Sequence, residues 1–128
     1  MAEDNMLVDA ALVFLSVLAA ADSEIAEIEM EEIADFINRH YIKSESDQAA
    51  IIFEKVATSS EDDRLELYKE AVLHFRTESI ENRLALLDHA LSLVASDGVL
   101  DDRELFLFSL AGKTWGFDVK SYLKDRLG

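Results

Sequence analysis

Apolar residues recur along almost the whole chain at intervals of three and four, the spacing that gathers them on one side of an α-helix. The breaks between these runs are made of Ser, Asp and Gly, and no stretch shows the alternation of a strand. A first helix is expected over about residues 5–21, presenting Leu7, Ala11, Phe14, Leu15 and Leu18. A second, over about 26–40, points Met30, Ile33, Ala34 and Ile37 inward and leaves Glu29, Glu31, Glu32 and Asp35 on its other faces. Ser44 with Asp47 opens a third helix carrying Ala49, Ile52, Phe53 and Val56. Ser60 with Asp63 opens a fourth carrying Leu65, Tyr68, Val72 and Phe75; both pairs have capping-box spacing, with Asp in place of Glu. Ser79 caps a fifth with Ile80, Leu84, Leu87, Leu91 and Val94. The sixth, about 101–115, is apolar on several faces through Leu105, Phe106, Leu107, Phe108 and Leu110, and is expected to be the most enclosed. Gly116 ends it, and Asp118 caps a short seventh with Val119, Tyr122, Leu123 and Leu127. Helices of roughly 12–15 residues are marginal alone in water. The expected fold is therefore all-α, a compact bundle of about seven helices forming one domain over residues 1–128.

Composition narrows the chemistry. Half of the 128 residues are apolar, enough to build a core, yet 27 acids against 12 bases leave a net charge of -15. That charge repels phosphate backbones and anionic lipid, so neither nucleic acid nor a membrane surface is an expected partner. With no Cys there is no disulfide framework, thiolate zinc site, iron–sulfur cluster or cysteine nucleophile. The charge is also uneven. Residues 1–38 hold ten acids and no base, whereas Lys113 to Gly128 carries four bases and two acids. This asymmetry reads either as solvated helix faces or as opposite ends that attract, within one chain or between two. Ala10 to Ala21 resembles the apolar part of a secretion signal, but Glu3, Asp4 and Asp9 stand where such a signal needs positive charge. Twelve apolar residues are also too few to span a bilayer, so direct membrane insertion is not expected and the expected location is the cytoplasm.

The most informative feature is an internal repeat at an offset of about 75 residues. Ala21-Asp22-Ser23-Glu24-Ile25-Ala26-Glu27-Ile28-Glu29-Met30 pairs with Ser96-Asp97-Gly98-Val99-Leu100-Asp101-Asp102-Arg103-Glu104-Leu105. In both copies an apolar helix ends at an Asp, a branched aliphatic follows three residues later, and a Glu stands seven after the Asp where the next helix starts. The chain thus contains two related helix-turn-helix units separated by a pair of helices.

Asp97, Asp101 and Glu104 can converge inside one tight turn, and hard cations take oxygen ligands. Asp97, Gly98, Leu100, Asp101 and Glu104 even match the fifth, sixth, eighth, ninth and twelfth places of an EF-hand loop. Its first and third places would be Leu93 and Ala95, and Leu18 and Ala20 in the first copy, which excludes a true EF-hand. Each turn offers about three carboxylates and the Val99 carbonyl, against the 6–8 oxygens that calcium takes, so water or a meeting of both turns would complete the shell. The other reading is capping. Asp97-Gly98 stops a helix, Leu100 plugs the core, and Asp101 with Glu104 has capping-box spacing. Capping explains Asp22 and Glu29 less well, because Ala26 is a poor cap. Caps alone, and caps that also bind Ca2+ or Mg2+ weakly through Asp22, Glu29, Asp97, Asp101 and Glu104, are the two open readings.

Other chemistry is thin. His40, His74 and His89 have no chelating spacing and are expected at exposed helix positions. No serine sits in a nucleophile elbow and no Gly-rich phosphate loop exists, so no enzyme is expected. Trp115 beside Gly116 reads as core rather than as a partner anchor.

The two Asp-containing helix junctions with a downstream Glu, Asp22 to Glu29 and Asp97 to Glu104, each followed by an amphipathic helix, resemble the TerB family named for tellurite resistance. Leu86 to Asp118, with its Ala95-Ser96-Asp97-Gly98 junction, is the closer of the two copies; residues 42–85 match in helical pattern only. The resemblance implies an all-helical domain with internal pseudo-two-fold symmetry, no established catalytic activity, an association with bacterial responses to tellurite and other chemical stress, and acidic positions serving a divalent cation. Similar domains precede J-domains in some membrane-anchored co-chaperones, which implies a protein partner; no J-domain signature is present here. Ser23 stands where the family often has Gly, a departure that bears on the geometry of the first turn and on any matched pair of metal sites. The expected function is that of a non-enzymatic acidic helical domain that binds a divalent cation weakly. The alternative is an interaction or assembly module, a homodimer included, in which the acids serve as caps and solubilising charge.

Overall fold

The computed structural model describes residues 2–21, 25–40, 46–94 and 100–127. These form seven helices, α1 (Ala2–Ala19), α2 (Glu27–His40), α3 (Ser46–Thr58), α4 (Glu61–Phe75), α5 (Ile80–Val94), α6 (Asp102–Trp115) and α7 (Val119–Leu127), and no strand among the described residues. The helix starts follow local capping chemistry. Ser60, extended at φ -68° and ψ 166°, accepts the Asp63 N–H on its hydroxyl at 3.2 Å, and Ser79 accepts the Asn82 N–H at 3.1 Å. At α7 the Asp118 carboxylate accepts the Lys120 and Ser121 amides, and these bonds hold its pKa below the ordinary carboxylate value. Gly116 ends α6 at φ 76° in the left-handed region, where a side chain would crowd the backbone. Ser44, the expected cap of α3, lies outside the described residues.

Helix α1 is the centre of the bundle. From Ala10 to Leu18 every residue is buried, and α2, α3, α4 and α5 all pack on it. A helix apolar on all sides must be surrounded, which is what the neighbours accomplish. The expectation that α6 would be the most enclosed helix is corrected by this arrangement. Leu105 is 41% and Phe106 56% exposed, because α6 lies on the outside of the bundle and meets chiefly α4 and α7. Its buried face is Glu104, Leu107, Phe108, Ala111, Gly112 and Trp115.

An aromatic stack joins α1 to its outer neighbours. Phe14 lies between Tyr68 of α4, with ring centroids 5.0 Å apart, and Trp115 of α6, 5.8 Å away. Both polar handles are satisfied across helices: the Tyr68 hydroxyl donates to the Leu107 carbonyl at 2.6 Å and the Trp115 indole N–H to the Val72 carbonyl at 2.8 Å. Trp115 is a core residue, as its sequence setting suggested. The buried Ser16 hydroxyl, on the opposite account, finds no hydrogen-bond partner among the described residues.

Helix α7 is held in two places. Gly112 lets it approach α6 so closely that a Cβ there would run into the Val119 side chain and lie 3.2 Å from the Phe117 carbonyl oxygen. On the other side the Tyr122 hydroxyl donates to Asp88 of α5 at 2.6 Å, and Arg126 donates to the same carboxylate oxygen at 3.0 Å while its guanidinium sits over the Tyr122 ring. Gly112→Ala is expected to cost about 1–3 kcal/mol by overpacking, read as a lower urea midpoint with an unchanged slope.

Burial raises the pKa of Tyr68 and, together with the Asp88 carboxylate, that of Tyr122. An acid whose folded pKa lies above its unfolded value of 10.0 stabilises the fold fully below pH 10 and loses that contribution as pH rises toward the folded pKa. Urea midpoints measured from pH 9 to 11 should therefore fall above pH 10, and Tyr122→Phe should flatten that fall. An equal slope in the variant would mean that the Tyr122 hydroxyl contributes nothing to it.

Candidate functional site: two acidic helix junctions

The connection from α5 to α6 leads into a complete capping box. Asp101, extended at φ -78° and ψ 174°, accepts the Glu104 N–H on Oδ1 at 2.8 Å, and Glu104 Oε1 accepts the Asp101 N–H at 3.0 Å. Glu104 is 6% exposed; with Ser16 it makes up the buried polar residues among those described. The start of α2 carries the reverse arm of the same device. Glu29 Oε1 accepts the Ala26 N–H at 2.9 Å, and the Ala26 carbonyl accepts the first helical bond, from Met30, at 3.0 Å. Ala26 has no side-chain acceptor, so this box is half complete.

That geometry corrects the expectation that capping explains Glu29 poorly: the acid reaches back to the amide that Ala26 presents, whatever the cap residue is. Glu29 and Glu104 thus do equivalent work at equivalent places. Ile25 and Leu100, also equivalent in the repeat, both lie half-buried against the core. Asp22 and Asp97, with Ser23, Gly98 and Val99, lie outside the described residues. Of the five acids expected at the site, Asp101 and Glu104 come together and Glu29 caps the other junction. Among the described residues no group of three acids or histidines forms a metal-holding cluster.

Two arginines that sequence reasoning passed over organise the junctions. Arg103, between Asp102 and Glu104, sends Nη1 across to the Ala21 carbonyl at 3.1 Å and pairs through Nη2 with Glu61 of α4. The second junction therefore touches the last described residue before Asp22. Arg64 of α4 donates to Val56 at 2.7 Å, to Ala57 at 3.1 Å and to Ala20 at 3.4 Å, closing the C-terminal ends of α3 and α1 together. Guanidinium groups suit this task because helix ends carry unpaired carbonyls and partial negative charge. The one signal for Arg103 was its being the single base within either copy of the repeat, where the first copy has Ile28.

The histidines stay outside the site. His74 is exposed, as expected, and the side chain of His40 is not among those described. His89 corrects the expectation of exposure: it is half-buried, stacked on Phe36 of α2 with centroids 4.3 Å apart. No helix among the described residues is long and apolar enough to cross a membrane.

The fold and its junctions define a class, an acidic all-helical domain built from two helix-turn-helix units whose second helices are both capped by a glutamate. The family model described as tellurite resistance protein TerB matches residues 8–122, and the chain belongs to that family. Comparisons with curated proteins and with solved structures give no match.

The two caps differ in a way that can be measured. Asp101→Ala removes one arm of a complete box and is expected to cost about 0.5–2 kcal/mol. Glu29→Ala removes the one side-chain arm at Ala26, whereas Glu29→Gln keeps an acceptor and should preserve most of the stability. If urea midpoints of Glu29→Ala and wild type coincide, the Ala26 bond holds nothing.

Proposed function

We propose that the domain works by binding rather than by catalysis, and that its acidic junctions take a hard divalent cation, Ca2+ or Mg2+, weakly. The second junction is the main site, with Asp97, Asp101 and Glu104 as ligands, and the first contributes Asp22 and Glu29. The observation that carries this reading is the burial of Glu104 at a repeated acidic turn. Ser60 starts α4 with an uncharged cap, so a buried carboxylate is more than helix initiation requires. A buried carboxylate gains most from a nearby positive charge, and a hard cation supplies it with oxygen-only coordination.

The family's name connects this reading with tellurite resistance, and we extend it to bacterial responses to chemical stress in the cytoplasm. A second reading is favoured by the complete box at α6. The positive end of the helix stabilises an anion there without any metal, and it opposes a bound cation. On that reading the acids are caps and solubilising charge, and the domain is an interaction module.

Thermal melts separate the two. The cation reading predicts a midpoint that rises with millimolar Ca2+ or Mg2+ over an EDTA control, in proportion to the logarithm of cation excess. Asp97→Asn with Glu104→Gln should abolish the rise, whatever it does to the starting midpoint. A shift no greater than that from matched monovalent salt leaves the interaction reading standing.

A further inference from the structure

Helices α2 and α3 both lie on α1 but scarcely touch each other, and the space between them is a groove of about 400 Å³ over the end of α1. Its walls are Ile25 and Met30 on one side and Ala50, Phe53, Glu54 and Ala57 on the other. Ala50, Glu54 and Ala57 are exposed along one stripe of α3, while Met30 and Phe53 are half-buried. The α2 and α3 walls carry acids: Glu54 lines the groove itself, and Glu27 stands three residues before Met30 on the same face of α2. Among the described residues, no ion pair engages Glu27 or Glu54. Arg64 also borders the groove and keeps its positive charge, but its donors hold it at the end formed by the Val56, Ala57 and Ala20 carbonyls.

We infer that this groove is a docking site for a basic amphipathic helix of a partner protein, which lays apolar side chains against Met30 and Phe53 and its Lys or Arg residues against Glu27 and Glu54. The inference goes beyond the cation reading and does not depend on it. Charge complementarity selects the occupant: away from the Arg64 end the walls carry Glu27 and Glu54, and on a chain of net charge -15 such a trough attracts a cationic segment and repels an acidic one. A flexible Met and an aromatic ring are suited to receive an apolar helix face. The chain's own basic helix is committed elsewhere: Val119 and Tyr122 of α7 are buried, and Arg126 is tied to Asp88. A second copy would bring a further charge of -15 to the contact, which disfavours it.

A fluorescein-labelled peptide of about 14 residues, roughly 20 Å of helix with Leu on one face and Lys on the other, serves as the probe. Anisotropy titration should show saturable binding, and NMR of the full chain should place the shifts at the Met30, Ala50 and Ala57 methyl groups. Ala50→Trp fills the groove from an exposed position and should weaken binding by about tenfold or more. Glu27→Lys with Glu54→Lys should weaken it similarly and reduce its salt dependence. Equal affinity for a peptide with the same Lys content but scrambled apolar positions would overturn the inference, as would shifts scattered over the whole acidic surface. Sedimentation that revealed a dimer dissociated by Ala50→Trp would assign the groove to a second copy instead.

Discussion

From Ala10 to Leu18 helix α1 has no side to offer to water, and the rest of the molecule follows from that constraint. A helix buried all round must have its apolar surface divided among several neighbours, and here four helices share it. Because α1 takes so much of the burial, its neighbours need only one apolar stripe each and can carry acids elsewhere. The surface charge of α2 is thus a consequence of the enclosure of α1. Ending such a helix is harder than starting one, since its last carbonyls emerge from the core with no intrahelical partner. Arg64 and Arg103 meet that need at Ala20 and Ala21, and in doing so draw α3, α4 and α6 to the place where the first acidic turn begins.

The two junctions illustrate how one residue type can be read twice. Glu29 and Glu104 each bind a backbone amide at the N-terminus of a helix, an arrangement in which helix dipole and hydrogen bond both favour the anion. A cation entering the same turn must work against that dipole, which is one reason weak binding is the form expected. Asp101 and Glu104 each commit an oxygen to the box, so a cation proposed there would need ligands beyond those two bonds, water among them. Calcium tolerates such a mixed and irregular shell better than magnesium, whose octahedral demand is stricter.

The parts of this structure legible in the sequence are those decided within a few residues. The caps at Ser60, Ser79, Asp101 and Asp118 and the left-handed Gly116 are local chemistry, and each was visible as a residue type at a helix boundary. The repeat was legible too, because equivalent placement needs only equivalent spacing. What could not be read was the outcome of competition for the interior. The apolar run Leu105 to Phe108 and the apolar run in α1 look alike in sequence, yet one is partly exposed and the other enclosed. His89 was misjudged for the same reason: its stacking partner Phe36 lies on another helix. Arg64 and Arg103 reach carbonyls 44 and 82 residues away, and no pattern in a single sequence announces such a bond.

Those arginines also explain why so acidic a surface remains unneutralised. Arg39 donates to the Asp35 carbonyl, Arg64 to Val56, Ala57 and Ala20, Arg83 to Trp115, and Arg103 to Ala21. Of these four, only Arg103 also pairs with a carboxylate among the described ion pairs. A chain with 12 bases that assigns several of them to backbone carbonyls has few left for its 27 acids. Exposed ion pairs stabilise little, so the fold loses almost nothing by leaving those acids unpaired, whereas an unpaired carbonyl at a buried helix end is costly. Stability therefore favours placing Arg64, Arg83 and Arg103 at helix-end carbonyls and leaves α2, with five acids and one arginine, strongly negative, and that charge is what the proposed basic helix in the groove between α2 and α3 would meet.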